Sequence, residues 1–343
     1  MKSKHCRRLP VVWIVVAAVT VAVVAAGMAV AADKQIKAGF VYVGPVGDYG
    51  WSHAHDVGRQ FAEKQLPWLQ TVFIESVAEA DAPRIIDRFI QEEKCDVVFT
   101  TSFGYMDATI KAGQKYPDKH FMHCSGFKQA ENVGTYFADL FQTYYLNGLM
   151  AGALTKSNKI GYVAGFPIPE LIRHINAFAL GIKHVNPEAR VHVRWINAWY
   201  GPDKAREAAE ALIAEGCDAL AFTEDTPAVI EVGQEHTEKG KQIYTFSHYS
   251  PMQVYGKDSV VSGQLVDWGV MYVEILKDLY DGTWTNADMW WLVAEGAAIL
   301  GGAIGEPINP KFEEALKGVS VEMADVGTLS VHDLVFKRYA QMK

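Results

Sequence analysis

Lys37-Ala-Gly-Phe-Val-Tyr-Val-Gly-Pro45 reads like Lys159-Ile-Gly-Tyr-Val-Ala-Gly-Phe-Pro167. Two more stretches echo each other in the same order. Gln91-Glu-Glu-Lys-Cys95-Asp-Val-Val-Phe-Thr100 matches Ala214-Glu-Gly216-Cys217-Asp-Ala-Leu-Ala-Phe222-Thr223, and His120-Phe-Met-His-Cys-Ser125 matches Gln242-Ile-Tyr-Thr-Phe-Ser247. Lys37 to Lys159, Cys95 to Cys217 and Ser125 to Ser247 are each offset by 122 residues. A constant register across three segments predicts two lobes of one topology. Two such lobes enclose a cleft, and clefts between domains are where small ligands bind.

Strand and helix signals alternate through both copies. Strands are expected at Ala38–Val43, Val72–Ser76, Val97–Thr100 and His120–Cys124, with helices at Asp56–Lys64, Ala82–Glu93 and Met106–Lys115. The second copy repeats this with strands at Ile160–Ala164, Val191–Trp195, Ala219–Phe222 and Gln242–Phe246. Its helices fall at Leu171–Val185, Asp203–Ala214 and Ala228–Glu238. This order predicts an α/β protein of two doubly wound lobes, each on a parallel sheet. Two apolar stretches, Asn132–Ser157 and Ser259–Asp281, break the repeat, each with an aspartate (Asp139, Asp267) before its helix. They are read as crossovers forming a shared hinge. The tail after Asp281 is read as strands closing the second lobe. The lobes are drawn as 33–136 plus 266–290 and 137–265 plus 291–343.

The N-terminus reads as an export signal over 1–32. Lys2, Lys4, Arg7 and Arg8 precede an apolar run from Val11 to Gly27, and Ala29-Val30-Ala31 offers a small-x-small cleavage site. Cys6 precedes the run, so it is not the first residue of a lipoprotein. The reading is an exported periplasmic protein, not inserted in the membrane after cleavage, and monomeric. Half the 343 residues are hydrophobic and 21% are charged, a globular composition. A net charge of −8 argues against a nucleic-acid partner. Cys95, Cys124 and Cys217 remain after the leader, without metal or CxxC spacing, and read as buried thiols.

Strand ends at a cleft mouth carry the ligand chemistry. The first loop holds Asp48, Trp51 and Ser52, and the second lobe offers Phe166 and Trp199. A tryptophan on each lobe suits the two faces of a planar ring. Ser102 and Phe103, Ser125, Glu224 and Asp225, Ser247 and His248 complete the rim. These loops contain no arginine, so a flat, roughly neutral heterocycle fits better than a sugar phosphate. Enzyme chemistry is not expected. Glu224 and Asp225 are adjacent, so on a strand they point to opposite faces. His53 and His55 lack the spacing of helix-borne metal ligands, and no cofactor fingerprint or GxSxG elbow occurs. No cofactor and no metal are therefore expected.

Asn158-Lys159-Ile160-Gly161-Tyr162-Val163-Ala164-Gly165, with Pro169, Arg173, Phe178 and Gly181, resembles the basic membrane protein family. Tyr145-Leu-Asn-Gly148-Leu-Met-Ala-Gly-Ala153-Leu-Thr-Lys156 is also similar to that family's. These are periplasmic solute-binding proteins of ABC importers for purine nucleosides and related molecules. The resemblance implies a type I periplasmic binding protein fold, an ABC permease as partner and a purine ligand. It implies stacking by Trp51 and Trp199, with Ser52 where an asparagine commonly binds the base. The family's two aspartates fall at Ser125 and Ser247, and its lysine near Gln264. The missing carboxylates favour a free base such as adenine over a nucleoside. The alternatives are a nucleoside-binding protein of the same type, or a sensor feeding a receptor kinase. We expect the exported chain to start near Ala32 or Asp33. Intact-mass measurement checks this, and a retained leader or lipid adduct would contradict it.

Overall fold

The computed structural model describes residues 34–47 and 49–343. The leader and Asp48 lie outside the described residues. Among those described, the strands form two six-stranded sheets and one hairpin. The first sheet contains β1 (Ile36–Val41), β2 (Leu69–Ile74), β3 (Val97–Thr100), β4 (His120–Cys124), β5 (Val133–Ala138) and β11 (Asp288–Trp291). Its order is β11-β5-β4-β3-β1-β2, parallel throughout. The second contains β6 (Lys159–Ala164), β7 (Arg190–Trp195), β8 (Ala219–Thr223), β9 (Tyr244–Tyr249), β10 (Val260–Val266) and β12 (Ala298–Leu300). Its order is β12-β10-β9-β8-β6-β7, parallel except for β12. Taken in chain order, both sheets wind as 2-1-3-4-5, so the sequence repeat is a topological repeat. The central strands are apolar along their length because helices cover both faces.

The helices are α1 (Trp51–Gln65), α2 (Ala82–Gln91), α3 (Met106–Lys115), α4 (Phe141–Leu154) and α5 (Pro169–Val185). They continue with α6 (Pro202–Ala214), α7 (Ala228–Glu238), α8 (Trp268–Asp281), α9 (Pro310–Lys317) and α10 (Val331–Met342). The hairpin pairs β13 (Ser320–Met323) with β14 (Gly327–Ser330). The repeat also explains small matched details. Asp96 and Asp218 each fasten the start of their lobe's first strand, through backbone bonds to the carbonyls of Lys37 and Lys159. Cys95 and Cys217 are buried free thiols beside them, and burial pushes their pKa values up to about 12 and about 11.

The described chain passes between sheets after β5, after β10 and between β11 and β12. These passages are hydrogen-bonded to one another: Asp139 N–H donates to Trp291 O at 2.9 Å, and Asp267 N–H to Ala297 O at 2.9 Å. Asp267 also caps α8, accepting from Gly269 N at 2.8 Å.

Three sequence expectations shift. Trp51 is the first residue of α1 and not a loop residue, because the helix starts directly after Gly50, whose carbonyl accepts from Ala54 N. The Gln242–Phe246 strand extends to Tyr249, because Ser247, His248 and Tyr249 pair with β10. The tail does not close the second lobe alone: β11 pairs with β5 in the first sheet, and only β12 joins the second.

α4 and α5 cross at near backbone contact. A Cβ on Gly148 would stand 2.2 Å from Phe178 O, and one on Gly181 would stand 2.1 Å from Tyr145 O. Alanine would gain about 1 kcal/mol in helix propensity. Overpacking against an unyielding backbone costs about 1–3 kcal/mol. We expect Gly181→Ala to be net destabilising in urea unfolding; an unchanged or raised midpoint would contradict the close crossing.

Candidate ligand-binding site

The carboxyl edges of the two sheets face each other across a cavity of about 280 Å³. The first lobe contributes Val43 after β1, Trp51 at the start of α1, Thr101, Ser102 and Phe103 after β3, and Ser125 after β4. The second contributes Ile168 and Glu170 after β6, Trp199 after β7, Asp225 after β8 and Tyr249 at the end of β9. None of these side chains is a lysine or arginine. Ser125 and Tyr249 both sit at positive φ, +58° and +62°, in the sparsely populated left-handed region. Such backbone strain concentrates at functional sites.

The lobes are closed on this cavity. Trp51 meets Tyr249 of the other lobe edge-on, with ring centroids 5.0 Å apart. Tyr49 packs on Tyr255 in the same way at 5.4 Å. Gly50 lies so close to Asp225 that a Cβ would stand 2.4 Å from its carbonyl oxygen. Trp51 is held from behind as well. Its Nε1–H donates to Thr101 O at 2.5 Å, and its ring edges pack on His55 and Trp268. Trp199 stands against Phe166, centroids 4.9 Å apart, and its carbonyl accepts from Asp225 N.

Of the residues singled out from sequence, Trp51, Ser102, Phe103, Ser125, Trp199 and Asp225 line the cavity. The others, Asp48 apart because it lies outside the described residues, are placed behind it. Ser52 Oγ accepts from Gly44 N at 2.9 Å and shapes the first loop. Phe166 supports Trp199. Glu224 is buried and accepts from Thr226 Oγ1 at 3.1 Å. Ser247 donates to Gly302 O at 3.2 Å. His248 is buried between Tyr144 and Gln264, which in turn accepts from Asn147 Nδ2 at 2.7 Å. Burial keeps His248 well below the usual histidine pKa, so it is neutral. His53 bonds to Val46 O, and His55 stacks on Trp268 and bonds to Tyr272, which places both inside aromatic packing.

Sequence reading missed Glu170 and Tyr249. Glu170 is in the first turn of α5, where Pro169 starts the helix one residue before it. That start was readable from Pro169. Tyr249 was missed because the strand was ended too early.

Behind Glu170 lies a buried ionic cluster. Asp139 accepts from Arg173 Nε at 2.5 Å, from His174 Nε2 at 3.0 Å and from Phe141 N at 3.3 Å. Burial alone would raise the Asp139 pKa. The hydrogen bond from His174, with the charge and hydrogen bond of Arg173, outweighs it and holds the carboxyl below the usual range. Arg173 also lies over the Trp290 ring at 4.9 Å.

No helix among the described residues is long and apolar enough to cross a membrane. Two lobes, three hydrogen-bonded crossings and a cavity at the sheet edges define a two-lobed protein with a cleft between its lobes. The family model described as "ABC transporter substrate-binding protein PnrA-like" matches residues 35–315, and the chain belongs to this Bmp family. It is 41% identical to the putative ABC transporter glucose-binding protein TsgA13 of Haloferax volcanii over 75% of this chain and 64% of that one. It is 38% identical to the purine-binding protein BAB2_0673 of Brucella abortus over 81% of this chain and 78% of that one. An ABC transporter solute-binding protein from Aeropyrum pernix K1 shares the fold, with a TM-score of 0.72 at 17% identity, covering 90% of this chain and 87% of that one.

The lowered Asp139 pKa means that this carboxylate stabilises the fold above its unfolded pKa of about 4 and loses that contribution as pH falls through the folded value. We expect Asp139→Asn to lose about 2–3 kcal/mol at pH 7. This is below the 3–5 kcal/mol typical of breaking a fully buried pair, because Arg173 reaches water. The gap from the parent should narrow below pH 4. Urea unfolding across pH 3–7 checks it, and a gap independent of pH would contradict the charge assignment.

Proposed function

We propose that this protein is the exported binding component of an ABC importer and that it closes its two lobes on a free purine base such as adenine. The observation that carries the reading is a cavity lined by a tryptophan from each lobe, with no basic side chain among its described lining residues. Indole faces suit a planar heterocycle, and each aromatic contact adds about 0.5–1.5 kcal/mol beyond burial. Ser125 lines the cavity where the family resemblance implied an aspartate, which leaves ribose hydroxyls without that acceptor. The similarity to the purine-binding protein of Brucella abortus supports the same class. Function is transport by capture and closure, with no covalent chemistry, and the permease is the macromolecular partner. The lobe boundaries proposed from sequence, near 137, 266 and 291, bracket the crossings through which closure would bend.

A second reading is glucose, on the similarity to TsgA13. Tryptophans can also stack on a pyranose. Yet a sugar presents hydroxyls around its whole rim, and each one buried without a partner costs about 1–3 kcal/mol. The cavity offers Ser102, Ser125, Glu170, Asp225 and Tyr249 for that purpose, but no Asn, Gln, Lys or Arg among its described lining.

Calorimetric titration of adenine, hypoxanthine, guanine, adenosine, guanosine and glucose into ligand-stripped protein separates these readings. We expect a free base to bind at least about tenfold more tightly than its nucleoside, or about 1.4 kcal/mol, and glucose not to compete. Trp199→Ala should weaken the base by about 2 kcal/mol, roughly thirtyfold. Equal affinity for base and nucleoside would refute the free-base assignment. Preference for glucose would refute the purine.

A further inference from the structure

Glu170 is the carboxyl of the cavity wall that carries a structural puzzle. It projects from the first turn of α5, lines the cavity and is only 8% exposed. Its nearest hydrogen-bond partner is the Tyr249 hydroxyl, at 3.4 Å from Oε1. Among the described residues the cation acting on it is Arg173 on the same helix, whose Nε is committed to Asp139 at 2.5 Å. Asp139 is itself fully buried and negative, so it repels a second charge beside it. The cavity supplies no counterion from its described lining, and Asp225 faces the same space.

We propose that Glu170 is a specificity-determining residue that reads the ligand as an uncharged carboxylic acid, donating its O–H to an unprotonated ring nitrogen and accepting from the adjacent N–H or amino group. The assignment rests on the purine reading above. A carboxylic acid presents a donor and an acceptor side by side. Adenine presents the complementary pair wherever an imine-type ring nitrogen neighbours the amino group or a ring N–H. A carboxylate has two acceptors and would leave the ring nitrogen's lone pair facing another lone pair. An uncharged Glu170 also fits a neutral ligand, since a buried charge without a partner is strongly disfavoured.

The surrounding groups act as follows. Burial is the largest influence and raises the Glu170 pKa; Asp139, from the first crossover, raises it further. Arg173 and the Tyr249 hydroxyl lower it, and the outcome is about 8. The start of α5 also favours the charged form. Of the other titratable groups around it, Asp225 is a second carboxyl of the cavity wall, and the following are neutral. His174, His248, Tyr144, Tyr162, Tyr249 and Cys124 are all held by burial in their uncharged forms at pH 7. Glu170 is therefore protonated below about pH 8 and ionises above it. If the ligand needs the protonated form, the apparent Kd is the intrinsic Kd divided by the protonated fraction. That fraction falls about tenfold between pH 7 and pH 9.

The test uses the whole mature protein with adenine as probe. Calorimetry from pH 6 to pH 9 should show an unchanged Kd up to about pH 7.5 and a rise of roughly tenfold by pH 9. At pH 8.5, repeated in buffers of different ionisation enthalpy, binding should take up most of one proton. Glu170→Gln keeps the side-by-side donor and acceptor without an ionisable group, so it should bind adenine with no fall in affinity over that range. Glu170→Ala should weaken adenine at every pH. Adenine binding by the parent protein without proton uptake, or an equal loss of affinity with pH in the Gln variant, would overturn the role of Glu170 while leaving the purine reading intact. Absence of adenine binding at any pH would overturn the purine reading and this role with it. The proton-uptake measurement needs no variant, so it decides even if a substitution impairs folding.

Discussion

Asp139 is buried where the chain first leaves one sheet for the other, and three side-chain or backbone donors converge on its carboxylate. Its own N–H is bonded to Trp291, on another crossing of the hinge. His174 and Arg173 sit on α5, one turn from the Glu170 that lines the cavity. Arg173 in turn covers Trp290 on β11. One carboxylate thus joins two crossings, the helix behind the cavity and the edge strand of the first sheet. A buried charge is tolerated only where its partners are fixed. That requirement ties the hinge to the wall of the site, and its negative charge adds to burial in raising the pKa of the neighbouring Glu170 carboxyl.

The close crossing of α4 and α5 serves the same end. Gly148 and Gly181 bring the two backbones together without intervening side chains. α4 descends directly from the Asp139 crossover, and α5 presents Glu170. The position of the cavity wall therefore follows from backbone contact more than from side-chain packing. On the first lobe, rigidity comes from aromatic packing. Trp51, His55, Trp268, Tyr136 and Tyr272 form one edge-to-face cluster under the sheet. A ligand resting on Trp51 would rest on the core.

Closure is also physical contact at the rim. Trp51 against Tyr249, Tyr49 against Tyr255 and Gly50 against Asp225 bring the lobes together with groups beside the ligand space. Since these contacts form only when the lobes meet, they contribute to the closed state without contributing to the open one. Ligand affinity then includes the difference between the two states.

How much was legible beforehand follows from the range of each interaction. The 122-residue repeat, the alternation of elements, the parallel sheets and the crossovers were readable because they depend on local patterning of apolar residues. Trp51, Ser102, Phe103, Ser125, Trp199 and Asp225 were readable because the carboxyl end of a parallel strand must face the cleft. Ser52, Phe166, Glu224, Ser247, His248 and Gln264 stand at or near the same strand ends, yet the fold turns them to neighbours within their own lobe. Which way a strand-end side chain points depends on alternation and on which donors lie behind it. Only the tertiary structure supplies those donors. The same holds for Glu170, whose charge state is set by burial and by Asp139, 31 positions away in sequence. The sequence by itself determined the two lobes and the edge of each that bears the site. The packing of one lobe on the other decided which residues meet there and in what state of protonation, because both depend on distances between segments far apart in the chain.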